Sequence, residues 1–257
     1  IYFALGITGA AIATLISQCF GCAMLFWMSH KGQSIRIQLR NFTPTKAYAK
    51  EIIFGGTPSL SRQGLGSIAT LVLNVAAGAY GDAAIAGMSI VTRISFFTYA
   101  VVIGLGQGFQ PLCGFCYGAK LYSRVKDAYY FCIKCGTVFL AACAVIGFIF
   151  SEQIIELFRD DPHVVAVGSV ALKWQVISFP LITTIVLTNM LMQTIRKPIR
   201  ANIVAAARSG LFFIPLIFIL PHFFGLLGVE MCQAWADVCS FLVAVPIAWS
   251  AFRDMSR

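Results

Sequence analysis

Long apolar runs separated by short charged patches set the pattern of this chain. Uncharged stretches cover residues 1–29, 63–81, 94–119, 135–151, 174–195, 209–229 and 238–252. A membrane-crossing helix needs about 20 mainly apolar residues. Most of these stretches reach that length, and the shorter ones do once Lys134 or Asp237 is taken inside. A membrane barrel would instead show alternating segments of about ten residues, which the sequence lacks. The pattern predicts an all-α integral membrane protein with about seven transmembrane helices, near 2–29, 48–78, 83–118, 127–150, 164–194, 201–221 and 226–250.

Composition agrees. Apolar residues make up 59% of the chain and charged residues 11%, with mean hydropathy +0.83. A soluble domain keeps about a quarter of its residues charged, so the lipid bilayer must solvate much of this surface. The chain opens at Ile1 within an apolar run, without an initiator Met or a preceding basic stretch. That excludes a signal peptide and suggests a fragment.

The net charge of +9 is placed as a topology signal. Lys31, Arg36, Arg40 and Lys46 share the 30–47 connection; Lys120, Arg124 and Lys126 share another; Arg196, Lys197 and Arg200 a third; Arg253 and Arg257 lie in the tail. Alternating spans put all of these on one side and Asp82, Glu152, Glu156, Asp160 and Asp161 on the other. Positive residues mark the cytoplasmic side, so the C-terminus is expected to be cytoplasmic and residues 151–163 external. Basic residues confined to inter-helix loops argue against a nucleic-acid partner.

The 30–47 segment is the longest polar connection and divides the chain into one span (1–29), a cytoplasmic linker (30–47) and six spans (48–257). Gly6 and Gly9 precede Gln18 much as Gly225 and Gly228 precede Asp237, with the second Gly nine residues before the polar residue in each case. Two helices of one direction with one motif suggest a parallel duplication, a frequent transporter plan. Cys19/Cys22, Cys113/Cys116 and Cys132/Cys135 have CxxC spacing. They lie in apolar runs without a nearby His, so small-hydrophobe packing is expected rather than a metal site. No catalytic acid–base or nucleophile set is evident.

Charges within a bilayer are expensive and tend to mark function. Arg62, Arg93, Lys173 and Asp237 fall about ten residues into their spans, hence about 15 Å deep. Asp237 is expected to pair with Arg62 or Arg93, with Lys173 a further ion-pair or coupling candidate. Lys134 and Arg208, placed nearer helix ends, are expected to snorkel. Ser59, Gln63, Ser67, Thr70 and Asn74 form a stripe at steps of three or four residues beside Arg62. Such a stripe lines a cavity or joins helices by hydrogen bonds. The next span combines Gly104, Gly106, Gly108, Gly114 and Gly118 with Gln107, Gln110 and Pro111, which suits close packing and a bend. Thr184, Thr188, Asn189 and Gln193 follow Pro180, where a bent or discontinuous helix is expected.

The run Gly55 to Gln63, with Pro58 and Arg62, then Asn74, Gly81 and Asp82, resembles the first helix of the second lobe of MATE (multidrug and toxic compound extrusion) transporters. Gly104 to Pro111, followed by Gly114, Tyr117, Gly118 and Lys120, looks like the next helix and its exit. Gly225 to Asp237 resembles the last. The resemblance implies a twelve-helix transporter of two six-helix lobes, of which this chain holds the last helix of the first lobe and all of the second. It implies H⁺- or Na⁺-coupled antiport of amphipathic organic compounds by alternating access, with no other cofactor. A monomeric, multi-pass protein of a bacterial inner (cell) membrane follows. Arg62, Gln63, Asn74, Gln107, Gln110 and Asn189 are the candidate substrate-cavity residues. The carboxylates that some members use for Na⁺ in the first and fourth helices of this lobe have no counterpart near Pro58 or Pro180. The excess of buried cations suits the alternative of a flippase for lipid-linked saccharides. A seven-helix receptor or retinal protein fits the span number, but its final helix would carry a lysine where Asp237 stands.

Overall fold

A computed structural model describes residues 6–31 and 45–255. The elements are α1 (Gly6–Lys31), α2 (Lys46–Gly78), α3 (Asp82–Gly118), α4 (Tyr122–Ile149), α5 (Ser151–Phe158), α6 (Pro162–Thr194), α7 (Pro198–Ala206), a π-helical turn (Ala207–Leu211), α8 (Phe213–Phe224) and α9 (Leu226–Met255). Two compact units are present, Ile1–Lys50 and Glu51–Arg257. Most of the expected 30–47 linker, and Arg257 of the tail, lie outside the described residues.

The first unit is essentially α1, an apolar helix whose segment Ala11–Ser29 has no buried residue. Among the described residues six helical segments are long and apolar enough to cross a membrane. The seventh expected span, α2, is 33 residues long. Its charges and the polar stripe around Arg62 and Gln63 keep its hydropathy low.

In the second unit α6 is the central helix. It has no polar face, and Leu172, Ile182, Ile185 and Leu191 are buried on its different sides. A helix apolar all round belongs in the interior of a bundle, and α6 packs against α3, α4, α5, α7 and α9. At the α3–α6 crossing glycine faces glycine: a Cβ on Gly87 would lie 3.1 Å from the backbone nitrogen of Gly168. Cys113, Cys116 and Cys132 pack with Phe109 and Tyr129 in an apolar cluster.

Two basic turns share one construction. Lys120 (φ 59°) and Arg196 (φ 56°) adopt the left-handed conformation after α3 and α6. The Leu121 N–H then donates to the Cys116 carbonyl at 2.8 Å, and the Lys197 N–H to the Met192 carbonyl at 2.9 Å. These are six-to-one closures of the Schellman type, usually made by Gly. A cation at a helix C-terminus opposes the dipole's negative end. Asp254 at the end of α9 binds Lys197 and Arg200, tying that helix to the second basic turn.

Two features depart from expectation. Residues 151–158 form a short amphipathic helix that buries Ile155 and leaves Leu157 exposed. The backbone break also lies elsewhere: α6 runs unbroken through Pro180 and α3 through Pro111. The span expected at 201–221 is the interrupted one, with the π turn between α7 and α8.

Candidate functional site

The π turn sets the site. π turns insert extra backbone into a helix and often accompany functional residues. This one carries Arg208, so Arg208 does not snorkel as expected. Its Nε donates to Asp237 Oδ1 at 2.7 Å, and its guanidinium lies 4.7 Å from the centre of the Tyr99 ring. Arg208, from the π turn, is therefore the partner of Asp237; neither Arg62 nor Arg93 is. Lys173 turns away to Glu152 of α5, at 3.5 Å.

Asp237 is completely buried. Gln233, one helical turn earlier, donates to the same Oδ1 at 3.1 Å. Ser178 and Gln175 of α6 reach Oδ2 at 2.9 and 3.3 Å. The single Ser178 hydroxyl proton serves either Asp237 or the Gln175 carbonyl, 2.8 Å away. A carboxylate with this many donors and a guanidinium has its charge fully compensated. Three elements (α6, the π turn and α9) are joined by the network. A second buried acid, Glu230, lies two turns before Asp237 on α9 and is 6% exposed.

Beside this network is a cavity of about 350 Å³. It exists because α2 approaches the bundle lightly, through Ala69, Leu73 and Ala77 of the main apolar cluster. α2 contributes Arg62, Gln63, Ser67 and Thr70 to the lining; α3 contributes Met88, Val91, Thr92, Ser95, Phe96 and Tyr99. The opposite wall holds Gln175, Arg208, Ser209, Phe213 and Gln233. Ser67 and Thr70 donate to carbonyls one turn back in α2 itself, those of Gln63 and Gly66. Of the two roles open to the stripe, the geometry places its central part on the cavity. Arg62 Nε and Ser95 Oγ are buried and have no hydrogen-bond partner among the described residues.

Of the six expected cavity residues, Arg62 and Gln63 line this cavity; Asn74, Gln107, Gln110 and Asn189 do not. Asn189 is engaged in the fold: its Nδ2 donates to the Ala201 carbonyl at 2.7 Å, and its Oδ1 accepts from Gln193. Thr188 is likewise hydrogen-bonded to Tyr129. Arg93 is exposed. Gln175, Ser178 and Tyr99 are residues that sequence did not single out, and Arg208 was expected only to snorkel. Only the Gln233–Asp237 spacing of one turn offered a local signal. A larger hollow, about 440 Å³, lies between the ends of α4 and α9 and is lined by Tyr122, Tyr130, Trp249, Lys126 and Arg253. Aromatic and basic residues at helix ends are what a membrane interface selects. Among the described residues no His, Cys, Asp and Glu group is arranged to hold a metal ion.

Comparison with known proteins agrees with this architecture. A sequence profile of the MatE family matches residues 58–219. The multidrug export protein MepA of Staphylococcus haemolyticus is 30% identical over 240 residues, covering 93% of this chain and 53% of that protein. MepA of Staphylococcus saprophyticus is 30% identical over 252 residues, covering 96% and 54%. The chain thus spans about half the length of these relatives. A MATE crystal structure in complex with MaL6 superposes with TM-score 0.88 at 22% identity, over 99% of this chain and 58% of that one. An outward-facing multidrug resistance MATE transporter of the MOP superfamily gives 0.87 at 23%, over 99% and 58%. At these identities the structural likeness establishes the fold.

Proposed function

As this chain belongs to the MatE family, we propose that it provides the second lobe, with the preceding helix, of a secondary transporter exporting amphipathic organic compounds. The cavity beside the Arg208–Asp237 network carries this reading. A polar wall facing a gap in a bundle otherwise apolar requires water, a ligand or another lobe to solvate it. Substrate enters the gap from one side, and rocking of the two lobes opens it to the other. An ion gradient drives the cycle if the two states bind the coupling ion unequally; H⁺ and Na⁺ are the candidates. The relatives are named for multidrug export, and the same activity is proposed here, in a bacterial cell membrane with the C-terminus cytoplasmic.

The unpartnered Arg62 favours a second reading, a flippase for lipid-linked saccharides, whose anionic head group would meet that charge. Everted vesicles containing the two-lobe protein separate the two. Export predicts gradient-dependent accumulation of a soluble fluorescent compound such as a dansylated acid, abolished by an ionophore. No gradient-dependent movement of any soluble compound, with transfer of a lipid-linked sugar between leaflets, would reject export in favour of the flippase.

A further inference from the structure

We propose that the cavity between α2, α3 and the π turn binds the anionic head of an amphipathic molecule, with Arg62 as its counter-ion. This deepens the transport reading, on which it rests, by assigning a substrate charge. Arg62 and Arg208 are the charged residues of the lining, and no carboxylate joins them. Arg208 is already neutralised, since Asp237 lies 2.7 Å from its Nε. Asp237 cannot also serve Arg62: it is wholly buried and both its oxygens are engaged. One positive charge is therefore left in the cavity without a counter-ion among the described residues.

That charge is placed for recognition. Arg62 Nε is buried without a partner, and so is the Ser95 hydroxyl across the cavity on α3. Both are donors, and an unmade hydrogen bond in a buried position is costly. A carboxylate, sulfonate or phosphate monoester in the cavity would pair with the guanidinium of Arg62, which binds such planar or tetrahedral oxyanions through two donors, and a turn of the Ser95 side chain would add its hydroxyl. Met88, Val91, Phe96 and Phe213 supply an apolar wall for the rest of the molecule. A volume of about 350 Å³ falls within the usual range of small-molecule sites. An organic cation would instead meet a like charge at low dielectric. The shared chemistry is one negative charge on an apolar body, whether a soluble organic acid or an anionic phospholipid head carries it.

The test is equilibrium binding to the two-lobe protein in phosphatidylcholine nanodiscs without any gradient, so that failure of binding and failure of transport are separate results. Dansylglycine and its neutral analogue dansylglycinamide are titrated by fluorescence. The proposal expects the acid to bind at least tenfold more tightly than the amide. Arg62→Gln should remove that preference, Arg62→Lys should keep part of it, and Ser95→Ala should weaken the acid several-fold without affecting the amide. Lys120→Gln, in a loop, should leave the preference intact. Nanodiscs containing phosphatidylglycerol distinguish the sources: competition with dansylglycine assigns the site to lipid heads, and lack of competition assigns it to soluble acids, both within the proposal. Equal affinity for acid and amide in the wild-type protein, or a preference unchanged in Arg62→Gln, would overturn it. Should Arg62→Gln be unstable, Ser95→Ala and the wild-type acid-to-amide ratio decide the matter.

Discussion

Asp237 and Arg208 each remove the reason the other would be intolerable in a membrane. Breaking a buried pair by removing one partner costs roughly 3–5 kcal/mol because the survivor keeps its charge without compensation. Asp237→Asn and Arg208→Gln should each lower detergent stability markedly, and the double variant should be less damaged than the sum, by about 1 kcal/mol or more. Asp237→Asn combined with Arg62→Gln should be additive, since Arg62 belongs to the cavity and not to the pair. Unfolding midpoints of the three single and two double variants check this; additivity of the Arg208 cycle would rule out the pair. Asp237 was legible from sequence as an acid inside an apolar run. Its partner was not, because depth counted from the nearer helix end treats the span as regular, whereas the π turn and the earlier start at Pro198 carry Arg208 inward. Gln175 and Ser178 reach Asp237 across 62 and 59 residues of chain, a separation no local spacing encodes.

At the level of elements, apolar runs located the helices well and their interruptions poorly. The limits of α3 and α6 lie close to those expected, because charged or glycine-containing turns bound them. Pro180 suggested a bent or discontinuous helix, and α6 is continuous there: neighbouring helices hold it on most sides, and membrane helices tolerate proline when their surroundings support the freed backbone group. Two glycines of the Gly225–Gly228 motif have separate physical reasons. Gly225 has φ 58°, and a Cβ on Gly228 would overlap the backbone carbonyl of Leu220. Backbone cannot swing aside as a side chain does, so Gly228→Ala should open the α8–α9 hairpin and reduce the monodisperse fraction on size-exclusion chromatography. Gly104→Ala, which meets open space, should not; equal behaviour would refute the close approach. Arg196→Gly should raise stability by up to about 1 kcal/mol, since glycine adopts the left-handed turn without a steric penalty. A clear loss of thermal stability would show that the side chain, rather than the turn, matters there.

For the whole molecule, charge placement is the basis of the proposed orientation, and membership of the MatE family gives the fold. With the basic turns at Lys120 and Arg196 cytoplasmic, a cysteine at Glu156 of α5 should react with an impermeant maleimide added outside cells, and one at Arg124 should react only after permeabilisation. The reverse pattern would invert the topology. The family was legible because the glycine, proline and polar residues of Gly55 to Gln63, Gly104 to Pro111 and Gly225 to Asp237 resemble those of MATE helices. The cavity was legible only in part, since Arg62 and Gln63 share a stripe but the wall opposite them is assembled from α3, the π turn and α9. We propose that this cavity is a substrate path opening alternately to the two sides of the membrane. Ser67, on the α2 wall, tests it most directly. In a two-lobe protein otherwise without cysteines, Ser67→Cys is treated with impermeant maleimide from either face, with and without an imposed ion gradient. A path open alternately to both sides gives labelling from both faces, with the gradient raising one rate and lowering the other, and protection by bound substrate. Labelling from one face alone under every condition, with no effect of gradient or substrate, would contradict it.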